Sequence, residues 1–245
     1  PGHPVELTYD NGQGLTFTRR ISVDERYMFT VSDTVNNNTT APVTVSPYGL
    51  VMRRNVPPTT YYWVVHEGFI GAVGPSGLKE VGYSDVLKEG GAQSFKQTGG
   101  WLGITDKYWA AALVPDPKVA TEARVSGSKG ASGAKDTFQA DVSAGPIEVA
   151  PGAKSTFTTS LFAGAKVVSM IEGYHEKLEK QGVRQFNMLF DWGSFWFLTP
   201  PLYALLHWLG PLLPHPGLSL LGPTLLVKPL FFPLSPNSSA SLATF

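Results

Sequence analysis

The feature that most constrains this chain is its C-terminal stretch from Asp191 to Leu234, DWGSFWFLTPPLYALLHWLGPLLPHPGLSLLGPTLLVKPLFFPL. From Trp192 to Leu234 the only permanently charged side chain is Lys228, and His207, His215 and Tyr203 are the other titratable groups. A soluble domain has no ready partner for so much Leu, Phe and Trp at one end. In a bilayer such surface needs no protein partner at all. Residues 1–166 read differently, being polar, glycine-punctuated and patterned for strands. The chain is therefore expected to be an extramembrane β domain delivered to a membrane by its C-terminal end.

Composition narrows the choice further. A chain of 245 residues holds one large β domain, or one domain plus a membrane segment. Its 19 basic residues balance 19 acidic ones, so there is no electrostatic footprint for nucleic acid. Charged residues make up 16% of the chain, against a typical ~25%, and the deficit falls after Trp192. No cysteine is present, which excludes disulfides and cysteine zinc sites. The N-terminus, PGHPVELTYD, has neither the basic nor the apolar region of a signal peptide. Export, if it occurs, is directed by a segment outside this chain.

Period-two alternation dominates from Val5 to about Lys166. Leu15–Val23 places Leu15, Phe17 and Arg19 on one face, which a one-residue bulge would correct before Ile21 and Val23. Tyr27–Val35 alternates cleanly and ends in the Asn36-Asn37-Asn38 turn cluster. Further strands are expected at Val43–Ser46, Tyr61–Glu67, Phe69–Val73, Tyr108–Val114, Thr137–Val142 and Ser155–Phe162. Short strands divided by Gly, Pro and Asn, with no helical pattern between them, favour an antiparallel sandwich. Trp101, Tyr108 and Trp109 are expected at least partly in its core. The Gly127–Lys135 stretch fails as a phosphate-binding loop. One residue too many separates Gly127 from Gly133, and Ala134 stands where Lys is required.

Around Val167 the period changes. Val167, Ile171, Tyr174 and Leu178 form one helical face, opposite Glu172, His175, Glu176 and Glu179. The segment 167–193 is expected to pack on the sandwich and lead the chain to the bilayer. In Pro200–Gly210, Leu202, Leu205, Leu206 and Leu209 form a stripe opposite Tyr203 and His207. With Trp196, Tyr203 and Trp208 as headgroup-depth rings, region 194–215 is expected to lie along the membrane interface, with Leu205 facing inward. Residues 217–234 come close to the ~20 needed to span, although Pro223, Pro229 and Pro233 each remove a backbone donor. A transmembrane segment is expected over 216–235, followed by a tail at 236–245.

Catalytic chemistry finds little support. The five histidines make no H-x-H or i,i+4 pair, so no metal site is expected. His66-Glu67 reads as a core or rim pair on a strand, and Asp106-Lys107 as a turn. Neither a nucleophile elbow nor a zinc-protease motif occurs. No catalytic residue and no cofactor are expected, and the chain reads as a non-enzyme.

Four ordered stretches resemble one known family. Gly99–Pro115, GGWLGITDKYWAAALVP, is similar to the GGW-x-G-x-x-D-K-Y-x-x-x-x-x-x-P signature in the periplasmic domain of the bacterial membrane insertase family YidC. Val149-Ala-Pro-Gly with Leu161–Lys166 (LFAGAK), Phe190–Gly193 (FDWG) and Leu226–Leu234 (LVKPLFFPL) agree in order. This resemblance implies a mainly β protein: a twisted antiparallel sandwich of the galactose mutarotase-like supersandwich type, followed by an interfacial and a transmembrane helix. It implies insertion and folding of nascent membrane proteins, alone or beside the Sec translocon and its accessory subunits. The location implied is the bacterial inner membrane, with the large domain in the periplasm and the lipid bilayer as a further partner. The family's basic residue in a hydrophilic groove is matched by Lys228, which would meet polar parts of a client. The family also carries membrane helices before and after this region, so the chain is expected to be a fragment. A competing reading is a carbohydrate-binding or mutarotase-like module, which needs a His and a carboxylate converging in a cleft.

Overall fold

Runs with period two become strands because alternate side chains then share a face that can be buried. The fold is given by a computed structural model that describes residues 2–56, 65–75, 77–88, 91–131, 134–193, 197–212, 217–218, 221–222, 224–225 and 228. The first strands are β1 (Val5–Asp10), β2 (Leu15–Val23), β3 (Met28–Asn37), β4 (Val43–Val45) and β5 (Tyr48–Arg54). β6 (Gly68–Ala72) and β7 (Leu78–Gly82) precede a short helix, α1 (Tyr83–Lys88). Then come β8 (Ala92–Gln97), β9 (Trp101–Thr105), β10 (Trp109–Pro115) and β11 (Thr121–Ser128). β12 (Thr137–Ala144), β13 (Ile147–Val149) and β14 (Lys154–Ala165) complete the strands, and α2 (Val168–Glu179) follows.

An eight-stranded sheet has the order β1-β2-β3-β14-β10-β9-β6-β7, and a four-stranded sheet the order β5-β12-β11-β8. A β13-β4 pair stands apart, and every pairing is antiparallel. The mainly β, antiparallel sandwich is therefore present. No bulge occurs in β2. Its register with β3 runs unbroken from Leu15↔Asn37 to Val23↔Phe29. Arg19 is accommodated instead by Asp33 directly across, with Nε donating to Oδ1 at 2.6 Å. Of the strand expected at Tyr61–Glu67, residues 61–64 lie outside the described residues, and 65–67 form no strand.

Both faces of the large sheet are covered around β6, β9 and β10, whereas β1 is exposed along its whole length. Between the sheets Phe69, Leu102, Ile104 and Leu113 meet Val125, Phe138 and Ala140, with Tyr83 and Val86 of α1 closing the layer. On the other face, Ala110 and Ala112 leave room for the Ile171, Tyr174 and Leu178 stripe of α2. A 3-10 turn at Phe186–Leu189 continues that cover. Trp101 is completely buried there, 5.4 Å from the Phe186 ring in an edge-on arrangement, and its Nε1 donates to Arg184 O at 3.0 Å. Tyr108 and Trp109 are not in the core. They are 64% and 63% exposed, because Lys107 and Tyr108 form the β9–β10 turn and Trp109 opens β10 beyond the covered area.

Asn37 is a buried polar keystone, not an exposed turn residue. Its Nδ2 donates to Ala41 O and Val149 O, while its Oδ1 accepts from Thr39 N and Thr39 Oγ1. Buried amides are tolerated when satisfied in this way. Gly99, at φ +66°, is a glycine its surroundings require, since a Cβ there would meet Gly182 O. The close approach lets Arg184 N donate to Gly99 O at 3.0 Å, tying the end of α2's connection to the start of β9.

The chain divides into two units, Pro1–Asp191 and Trp192–Phe245. In the second, α3 (Thr199–Leu209) has Pro200 and Pro201 in its first turn, where a missing N–H leaves nothing unpaired. Among the described residues no helix is long and apolar enough to cross a membrane. The expected segment 216–235 falls mostly on residues outside that description, and the tail 236–245 does so entirely.

Candidate functional site

The residues expected to face a membrane gather on α3. Leu202, Leu205, Leu206 and Leu209 are all half-buried, while Tyr203, His207 and Trp208 on the other side are exposed. Helical spacing thus divides this element into an apolar stripe and a face of amphipathic rings. Tyr203 meets the Trp192 ring edge-on at 5.7 Å and stacks on His207 at 6.1 Å with 12° between planes. Trp208 is 65% exposed. Trp196 lies outside the described residues, and Lys228 is helical and exposed.

A second assembly lies within the first unit, where the sequence reads as a turn at Asp106-Lys107 and a core or rim pair at His66-Glu67. At one end of the large sheet, Arg53 Nη1 pairs with Asp106 Oδ2, and the Tyr83 hydroxyl donates to Asp106 Oδ1 at 3.1 Å. Lys166 Nζ donates to Thr105 Oγ1 at 2.9 Å, and its backbone N–H donates to Tyr108 O. The Lys107 N–H donates to Glu67 Oε1 and the His66 N–H to Asp191 Oδ2, at 3.2 and 2.6 Å. Burial holds the Lys166 ammonium below its ordinary pKa, against the pull of Asp191, Asp106 and Glu67. Burial, and then Asp106, push the Tyr83 phenol well above its usual range. This arrangement fixes backbone at the point where the chain leaves the β domain.

At the opposite end a groove of about 820 Å3 is lined by Lys96, Gln97, Thr121, Glu122, Pro146 and Arg184, among others. Its lining includes no histidine among the described residues. His66 and Glu67 are engaged separately, His66 Nε2 with Phe69 O at 2.9 Å and Glu67 with Lys107. The His–carboxylate convergence that a sugar enzyme needs is not formed by this pair.

The family model described as the YidC periplasmic domain matches residues 1–205. The chain belongs to the YidC family. A relative from Beijerinckia indica subsp. indica, named membrane protein insertase YidC, is 45% identical over 244 residues, covering 99% of this chain and 39% of that protein. One of the same name from Rhizobium etli is 47% identical over 240 residues, with 98% and 39% covered. This chain thus spans about two-fifths of the length of the relatives it matches. A galactose mutarotase related enzyme from Lactobacillus acidophilus overlays 66% of this chain and 69% of its own at 11% identity and a TM-score of 0.46.

Three of the stretches that resemble YidC meet at the end described above. Asp106 comes from the Gly99–Pro115 signature, Lys166 from LFAGAK and Asp191 from FDWG. Sequence reading missed Arg53 and Tyr83, which lie in none of these stretches. Only the position of Asp106 in a motif could have drawn attention to its partners.

Proposed function

We propose that this chain is the periplasmic domain and the start of the membrane region of an insertase, which helps membrane proteins insert and fold. The observation that carries the reading is the family match over residues 1–205, joined to relatives named membrane protein insertase. In this reading the β domain, 1–166, stands in the periplasm with 167–193 packed on it, and the protein resides in the bacterial inner membrane. α3 lies along the bilayer surface, its Leu202–Leu209 stripe inward and Tyr203 and Trp208 at headgroup depth. Segment 216–235 crosses the bilayer. Nascent membrane proteins are the clients, and the Sec translocon with its accessory subunits is a partner. The protein does no covalent chemistry on its clients.

Lys228 is the residue assigned to client contact. An ammonium in a spanning segment costs about 2.5–3.5 kcal/mol at the helix centre, so it needs water, a partner or a route to the surface. Facing a hydrated groove, it attracts acidic and polar client segments by charge alone. The test is insertion of a single-span client into vesicles holding the full-length protein that carries this sequence. Lys228→Ala is expected to impair insertion while Lys228→Arg preserves it. Normal insertion by the Ala variant would reduce Lys228 to an anchor reaching for the surface.

A further inference from the structure

Tyr108 and Trp109 carry two of the largest apolar surfaces in the β unit, yet they are 64% and 63% exposed. Trp101, by contrast, is fully buried nearby in sequence. Exposed single apolar residues are ordinary, but their position and company here are specific. Trp109 pairs with Ala165 at the last register position of β14, and Tyr108 O accepts the N–H of Lys166. Lys107 Nζ sits 5.2 Å from the centre of the Tyr108 ring. Tyr27, 50% exposed in the β2–β3 turn, lies against Gly164, one register position further in. Strand register places all these residues at the end of the large sheet that also holds Asp106 and Lys166. Asp191 bonds His66 at that end, and there the chain leaves the domain for Trp192 and the apolar stretch beyond.

Trp and Tyr with an adjacent Lys form the set that settles at a bilayer's headgroup level, where flat rings meet both apolar and polar surroundings and the ammonium stays wet. We infer that the Lys107-Tyr108-Trp109 turn, with Tyr27 beside it, is a foot by which the β domain rests on the lipid headgroups of the membrane it serves. The occupant is a phospholipid surface. A protein groove would favour a contiguous patch, whereas these rings stand on a turn and around a sheet end, and share that end more than one face. The inference rests on the membrane reading given above, and its test separates the two. Tyr9 and Tyr48, also exposed, sit toward the other end, where Tyr9 packs on Phe17 and Tyr48 OH accepts from Gln139 Nε2.

This chain has no cysteine, so single labels can be placed without background once any cysteine in the rest of the full-length protein is replaced by Ser. An environment-sensitive fluorophore is attached to Lys107→Cys, Leu205→Cys or Gly145→Cys in the full-length protein, reconstituted in phospholipid vesicles. Gly145 is exposed at the far end of β12, and an added side chain there meets nothing within 4 Å. Lipids brominated near the headgroup are expected to quench positions 107 and 205 and to spare 145. Adding Tyr108→Ala and Trp109→Ala is expected to abolish quenching at 107, keep it at 205 and leave the melting temperature unchanged. Quenching at 205 with none at 107 overturns the foot and spares the membrane reading. Absence of quenching at both overturns both. Equal quenching at 107 and 145, or quenching at 107 that survives removal of the two rings, also contradicts the assignment.

Discussion

The His66 N–H donates to Asp191 Oδ2 at 2.6 Å, joining residues 125 positions apart in the chain. Asp191 is the last residue of the β unit, so this bond fixes where the chain departs toward its apolar end. Asp191→Ala leaves a backbone donor without its acceptor and takes a carboxylate away from Lys166. Such losses cost about 1–3 kcal/mol. Chemical denaturation of the protein should register that drop, with Asp191→Asn, which keeps an acceptor, losing less. A variant as stable as the parent would show that the exit is held by other contacts.

The two tryptophans of the signature stretch should respond oppositely. Trp101→Ala removes a ring packed on Phe186 and bonded to Arg184 O, and such truncations cost about 3–5 kcal/mol. Trp109→Ala removes an exposed ring, and surface changes of this kind stay within about 0.5 kcal/mol. Comparable destabilisation of the two variants in thermal melts would contradict their assigned burial.

These tryptophans also mark how far the sequence could be read. The alternation in Leu15–Val23 and Ser155–Phe162 was legible because their large apolar residues recur on one face, Leu15, Phe17, Ile21 and Val23 in the first and Phe157 and Leu161 in the second, even though Arg19 shares the first of these faces. The helical stripe Ile171, Tyr174, Leu178 was legible for the same reason at a different period. β9 and β6 are both buried on both faces and so lose the alternation; the short apolar run Phe69–Val73 still marked β6, but nothing marked β9. Nor was β5 legible, where the apolar Tyr48, Leu50 and Met52 are exposed, and β11 was missed although Thr121, Ala123 and Val125 point inward between the exposed Glu122 and Arg124, because its inward residues are small. The end cluster was illegible for another reason. Arg53, Tyr83, Asp106, Lys166 and Asp191 are brought together only by register between distant strands. Local spacing carries no trace of such a meeting. The helix α3 and its leucine stripe were legible, because that information lies within three turns of one helix.

Asn37 offers a test of a buried amide. Asn37→Ala removes two donated and two accepted bonds from a fully buried position. The expected loss is about 1–3 kcal/mol, read by urea denaturation, because Ala41 O and Val149 O are then left without this partner. Asn37→Asp, which keeps the acceptor but loses the donor, should not rescue it.

Alkaline conditions should weaken the fold through Tyr83. Burial, then Asp106, raise its folded pKa, while the unfolded phenol titrates near about 10. The folded state therefore holds its proton where the unfolded state has released it. Stability from this source is complete below pH about 10 and falls as pH rises beyond it. Lys166 acts in the other direction, since burial lowers its folded pKa and the unfolded state binds more protons below about 10.5. Tyr83→Phe should flatten the alkaline decline, and Lys166→Met should remove a rise that precedes it. Parallel pH profiles for parent and variants would show that neither group is held as described.

The most direct test is insertion itself. The full-length protein carrying this sequence is purified and reconstituted into phospholipid vesicles, and a single-span client is synthesised in their presence. Client integration is then read by protection from added protease, against empty vesicles of the same lipid. The account predicts protected client well above the empty-vesicle level. Equal protection in both would contradict the assignment of this chain to an insertase.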